Sequence, residues 1–98
     1  MIDRLSDPQI ETALKTLTGW KRCNNRHAIQ KNFKFKNFET AWKFMTQIAQ
    51  YAEEVDHHPE WSNIYNRVDI ILTTHDANGI SERDIQMAQK IEEIVVSE

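Results

Sequence analysis

Three of the four histidines, His57, His58 and His75, are accompanied by acids: Glu53 and Asp56 stand just before the first two. An imidazole titrates near pH ~6.5, so it can both give and take a proton under ordinary conditions. A neighbouring carboxylate orients the ring or holds its charged form. Glu53 is one helical turn before His57, a spacing that places both on one helix face. Trp61 and Tyr65 follow closely and offer flat apolar surface to an aromatic ligand. Histidines, acids and aromatics together suit proton transfer on a small heterocycle. The same residue types also suit zinc or iron. However, the Glu-x-x-His unit of carboxylate metal proteins is one residue shorter than Glu53 to His57, and no second copy is present. Ordinary surface imidazoles at a helix end are the plainest account of the pair.

Other chemistries find little support. With two glycines there is no phosphate-binding loop, and no Gly-x-Ser-x-Gly elbow occurs. Cys23 is the only cysteine, which excludes a disulfide within one chain and a zinc site needing several thiolates. It reads as a small half-buried side chain. Twelve Lys and Arg against 15 Asp and Glu give a net charge of −3. The densest basic stretch, Lys31, Lys34 and Lys36 with Phe33 and Phe35 between, has the residue types that stack on and neutralise a nucleic acid strand. A sheet strand with a solvated face is the plainer account, and no direct nucleic-acid partner is expected. No apolar run approaches membrane-spanning length, and Met1 to Leu5 lack the pattern of a signal peptide, so the cytoplasm is the expected location.

The elements that must position the histidines follow from periodicity. Ninety-eight residues make one domain, 1–98, which buries roughly two-thirds of its unfolded surface. Ser6 or Asp7 caps a first helix with Pro8 in its first turn; Ile10, Ala13, Leu14 and Leu17 share a face, and Gly19 ends it. Trp20 to Cys23 and Ala28 to Lys36 read as strands around the turn residues Asn24-Asn25-Arg26. Ile29, Phe33 and Phe35 share a face, with Lys31 as the exception. Asn37 caps the longest helix, whose stripe is Phe38, Ala41, Trp42, Met45, Ile48, Ala49, Ala52 and Val55. Phe44 and Tyr51 fall outside that stripe and suggest a second contact, a partner helix. His57-His58-Pro59 ends the helix. Trp61 to Tyr65 and Arg67 to Thr74 read as two more strands, with Val68, Ile70 and Leu72 alternating against Asp69, Ile71 and Thr73. Asn78-Gly79 makes a turn, and Ser81 with Asp84 fits a capping box for a last helix along Ile80, Met87, Ala88, Ile91, Ile94 and Val95. The expected fold is α+β: a four-stranded antiparallel sheet with helices on one face, in the order α-β-β-α-β-β-α.

Glu53, His57-His58-Pro59, Tyr65, His75 and Asp84 also match, in every spacing, the motif of the pterin-4a-carbinolamine dehydratases, a family also called dimerisation cofactors of a hepatocyte homeodomain factor. Asp56 to Trp61, Gly79 to Asp84 and Phe44-Met45-Thr46 resemble the family too, and the likeness spans nearly the whole chain. The resemblance implies three helices on one side of the sheet. It implies a homotetramer, in which the long helix joins a central four-helix bundle and sheets pair edge to edge. It implies loss of water from a 4a-hydroxytetrahydropterin, with His57 and His75 as acid–base groups in either assignment and Glu53 in support. His58, Asp56, Trp61 and Asp84 would hold or border the substrate, with Asp84 equally readable as a helix cap. No metal or cofactor is implied. Ala77 stands where animal members can carry a cysteine, so a thiol role is excluded. A homeodomain transcription factor is the alternative partner, for a binding protein rather than an enzyme.

Overall fold

In the computed structural model, residues 1–96 are described. Helix α1 is Asp7–Leu14, β1 Lys21–Arg22, β2 Ile29–Lys34, α2 Phe38–Val55, β3 Glu60–Ile64, β4 Arg67–Leu72 and α3 Glu82–Val96. The strands form one antiparallel sheet in the order β1-β2-β4-β3. Three helices and four antiparallel strands in the order α-β-β-α-β-β-α are what the periodicity predicts.

The central pair carries the alternation that builds the core. Ile29 lies opposite Leu72, Lys31 opposite Ile70 and Phe33 opposite Val68. Four of these side chains, Ile29, Val68, Ile70 and Leu72, are at most 1% exposed. Against them pack Ile10 of α1, Phe44 and Ile48 of α2, and Met87 and Ile91 of α3. Lys31, the cation on this apolar face, has a partner there: its Nζ lies 2.7 Å from Glu92 Oε2 of α3 and donates to the Thr18 carbonyl at 2.8 Å. Trp20 Nε1 donates to the same carboxylate oxygen at 2.9 Å. A polar strand residue thus reaches the edge of the core without leaving a charge unpaired.

The local signals place the helix starts well. Ser6, not Asp7, caps α1 in a reciprocal box with Gln9, and Asn37 Oδ1 accepts the Thr40 N–H at 2.9 Å to cap α2. Strands β1, β2 and β4 are shorter than predicted, and β3 is shifted by one residue toward the N-terminus. Thr74 leaves the ladder because its N–H donates to Gly79 O at 2.9 Å, and His75–Ala77 form a single 3₁₀ turn closed by left-handed Asn78.

The face of α2 is a correction. Ala41, Ile48 and Ala52 of the predicted stripe are buried, but Phe38, Trp42 and Val55 are exposed, and Phe44 is fully buried. Apolar residues cover so much of this helix that two overlapping stripes satisfy its period. The choice falls to the aromatic cluster: the Phe44 ring lies 5.0 Å from Phe33 and 4.8 Å from Phe35, centroid to centroid. Tyr51 is half-buried, with Lys90 Nζ 5.8 Å over its ring. The outward apolar strip is therefore Phe38 and Trp42, whose rings stack at 6.2 Å, not Phe44 and Tyr51.

Candidate active site

Helix α2 stops at Val55, and Asp56 takes a left-handed conformation at φ 53°. Such a residue reverses the chain direction at the helix end. The His57 N–H returns to Ala52 O at 3.1 Å, and the His57 side chain is tucked inward while His58 stays outside. Helical spacing no longer applies past Asp56, so Glu53 does not reach His57. Its carboxylate instead meets His58, Oε2 to Nε2 at 2.6 Å, on the surface.

His57 has a different partner. Its Nε2 lies 2.6 Å from Asp84 Oδ1, and Asp84 is wholly buried in the first turn of α3. The other carboxylate oxygen accepts from Thr74 Oγ1 at 2.8 Å and from the Ser81 N–H at 2.9 Å. The proton positions follow by counting. Thr74 has one hydroxyl proton and gives it to Asp84, so the Thr74–Ser81 contact of 2.5 Å must be donated by Ser81. An ionised carboxylate only accepts, so His57 Nε2 carries a proton. In the neutral ring Nδ1 then holds a lone pair. Among the described residues no buried side-chain nitrogen or oxygen lacks a partner, so Nδ1, which has none, opens to solvent. Asp84 is thus both part of the α3 start and the orienter of His57.

A cleft of about 290 Å³ is lined by Asp56, His57, His58, Glu60, Thr73, Thr74, His75, Asp76 and Arg83. It gathers the three predicted histidines and Asp56. Glu53 and Asp84 stand behind His58 and His57 rather than in the lining. Asp56 makes no hydrogen bond to an imidazole among the described residues; its part in the geometry is the reversal at the end of α2. Trp61 lies opposite Ile70 in the ladder and packs on the core instead of the cleft. Tyr65 is exposed at the β3–β4 hairpin turn, remote in the ladder from Glu60. Glu60, Thr73, Thr74, Asp76 and Arg83 line the cleft without having been singled out. Only the sequence neighbourhood of His58 and His75 marks four of them, and Arg83 sits in the Ser81-to-Asp84 capping segment.

No three His, Cys, Asp or Glu side chains among the described residues are grouped to hold a metal ion. Cys23 is partly buried, and that burial pushes its thiol up, opposite to what a nucleophile needs. No helix among the described residues is long and apolar enough to cross a membrane.

Residues 3–94 match the family described as Pterin 4 alpha carbinolamine dehydratase. Relatives from Brucella ovis and Brucella canis, provisionally named pterin-4-alpha-carbinolamine dehydratase, are 52% identical over 92 residues, which is 94% of this chain and 95% of theirs. A crystal structure of a transcriptional coactivator/pterin dehydratase from Brucella melitensis superimposes with a TM-score of 0.92 at 52% identity, covering 94% of this chain and 98% of that one.

Proposed function

The chain belongs to the pterin 4 alpha carbinolamine dehydratase family, and from that premise we propose that it removes water from a 4a-hydroxytetrahydropterin in the histidine cleft, regenerating the quinonoid dihydropterin after an aromatic amino-acid hydroxylase has acted. The observation that carries the reading is the convergence of His57, His58 and His75 on one cleft, with His57 held by buried Asp84. In the reaction the ring nitrogen next to C4a pushes its lone pair into a C=N bond. The C4a–O bond breaks, and the oxygen leaves as water with a proton from an acid. A base takes the proton that the ring releases. His57, protonated on Nε2 by its bond to Asp84, presents the Nδ1 lone pair of a base. His75, exposed in the 3₁₀ turn, is the acid. His58, steadied by Glu53, orients the pterin. An ultraviolet assay of 4a-hydroxytetrahydropterin loss, with and without the protein, tests this; equal rates would refute it.

Proton transfer and the nitrogen push suffice for this reaction, and the cleft offers no grouped metal ligands. Full activity is therefore expected to survive dialysis against a strong chelator. Activity that disappears and returns with zinc or iron would replace this reading with a metal-dependent one.

The assembly we propose is a homotetramer built on α2. Phe38 is 46% and Trp42 56% exposed, a stacked aromatic pair on the helix face that the sheet does not cover. Trp42→Glu is expected to leave the fold intact and split tetramers into smaller species, because symmetry would bring like charges together in an apolar contact. Sedimentation of both proteins at equal concentration reads this directly; a wild-type monomer or a tetrameric variant would overturn it. The same surface is where a transcription-factor partner would compete, the reading favoured by the coactivator designation of the Brucella melitensis relative.

A further inference from the structure

A second hollow, about 420 Å³, lies beside the histidine cleft and shares Glu60, Thr73, Thr74 and His75 with it. Its remaining walls are Arg4, Arg26, His27, Asn78 and Gly79. We propose that this hollow is a subsite for an anionic side chain on the pterin. The inference rests on the pterin reading of the cleft and adds which pterins the protein prefers.

The fold brings the basic groups together from distant parts of the chain. The Leu5 N–H donates to Ile80 O at 2.8 Å, which pins the N-terminal segment to the turn after β4 and sets Arg4 over Gly79. A Cβ at Gly79 would fall 2.5 Å from His27 Nδ1 and 2.7 Å from Arg4 Nε, so only glycine lets both side chains close on this backbone. The Ile80 N–H donates to His27 Nδ1 at 2.9 Å. The proton of the neutral ring is therefore on Nε2, a donor available to a ligand. Burial, with Arg4 and Arg22 nearby, pushes the His27 imidazole down and favours that neutral form.

Charge is the second element. Arg26 meets Glu60 through two bonds of 2.8 and 2.7 Å, so these two charges offset each other. Arg4 makes no ion pair with any described acid, and the nearby Asp7 carboxylate is held by Arg22 at 2.8 Å, which leaves the Arg4 guanidinium unpaired in the hollow. A guanidinium and an N–H donor facing one space suit a phosphate or carboxylate. A pterin ring among the three histidines would send its side chain past His75 and Thr74, the rim common to both hollows.

Fluorescence titration with dihydroneopterin, dihydroneopterin monophosphate and inorganic phosphate tests this on the intact protein. The monophosphate is expected to bind about tenfold tighter than dihydroneopterin, with inorganic phosphate far weaker than either. In Arg4→Ala that preference should fall toward parity, and His27→Phe should reduce it as well. Equal affinity of the two pterins for the wild-type protein overturns the subsite. So does a preference that persists in both variants, or inorganic phosphate that binds as tightly as the monophosphate. If the wild type binds the monophosphate preferentially but neither variant folds, a preference that weakens steeply with added salt still supports the charged subsite, and one insensitive to salt overturns it. Failure of dihydroneopterin itself to bind would refute the pterin reading of the cleft, and the subsite with it.

Discussion

His57→Ala and His75→Ala are each expected to lower the dehydration rate by about a hundredfold or more, the usual loss when a positioned general acid or base is removed. The two variants should differ in how the residual rate depends on pH. A base must be unprotonated to act, so the rate falls on the acid side as the base protonates. An acid must be protonated, so the rate falls on the alkaline side as the acid loses its proton. His57→Ala should therefore flatten the acid limb of kcat/KM, and His75→Ala the alkaline limb. Both residues can be truncated without opening the main core, since His75 is exposed and His57 sits at the cleft wall. His57→Ala does strand the buried Asp84 carboxylate without its Nε2 partner, so it should also lose stability. The double variant His57→Ala/Asp84→Asn, an amide in place of the unpaired charge, separates the two effects. It should recover stability without recovering rate. Folded single variants that retain wild-type rates would remove both histidines from the mechanism.

The parts of this site that were legible in the sequence are those set by local rules. His57, His58 and His75 stand at element ends because proline follows the first two and a strand ends before the third. Alternation in β4 gave the buried face Val68, Ile70 and Leu72 correctly. What failed depended on one backbone angle or on tertiary distance. Glu53 and His57 are four apart, but left-handed Asp56 breaks the helical geometry and hands Glu53 to His58. The His57–Asp84 bond joins residues 27 apart, and no short-range pattern encodes it. The family motif contains both positions without saying that they touch. Arg4 and His27 join the hollow beside His75 only through the turn at Gly79, where a missing side chain is the signal. On α2, composition supplied more apolar surface than one contact uses, so periodicity left the register open. The deciding contact, Phe44 of α2 against Phe33 and Phe35 at the end of β2, is tertiary.

That register makes Phe44→Glu a folding variant instead of an assembly variant. On the sequence expectation, Phe44 faced outward and a glutamate there would divide a tetramer while sparing each chain. In the structure Phe44 is completely buried, with two phenyl rings within 5.0 Å of its own, centroid to centroid. Truncating such a ring costs about 3–5 kcal/mol by itself. A carboxylate in its place adds the penalty of an unpaired buried charge, several kcal/mol more, or must take up a proton to avoid it. A small domain has only about 5–15 kcal/mol of stability in total. Phe44→Glu is thus expected to abolish cooperative unfolding and near-ultraviolet aromatic dichroism at neutral pH. Phe44→Leu, which keeps most of the apolar volume, should fold with a lowered Tm. Trp42→Glu, two residues earlier and about 200° around the helix, should keep a sharp transition, since its ring is already in solvent within the single chain. Thermal denaturation of the three variants side by side separates the alternatives. A cooperatively folded Phe44→Glu chain beside an unfolded Trp42→Glu chain would show that α2 presents the opposite face to the sheet.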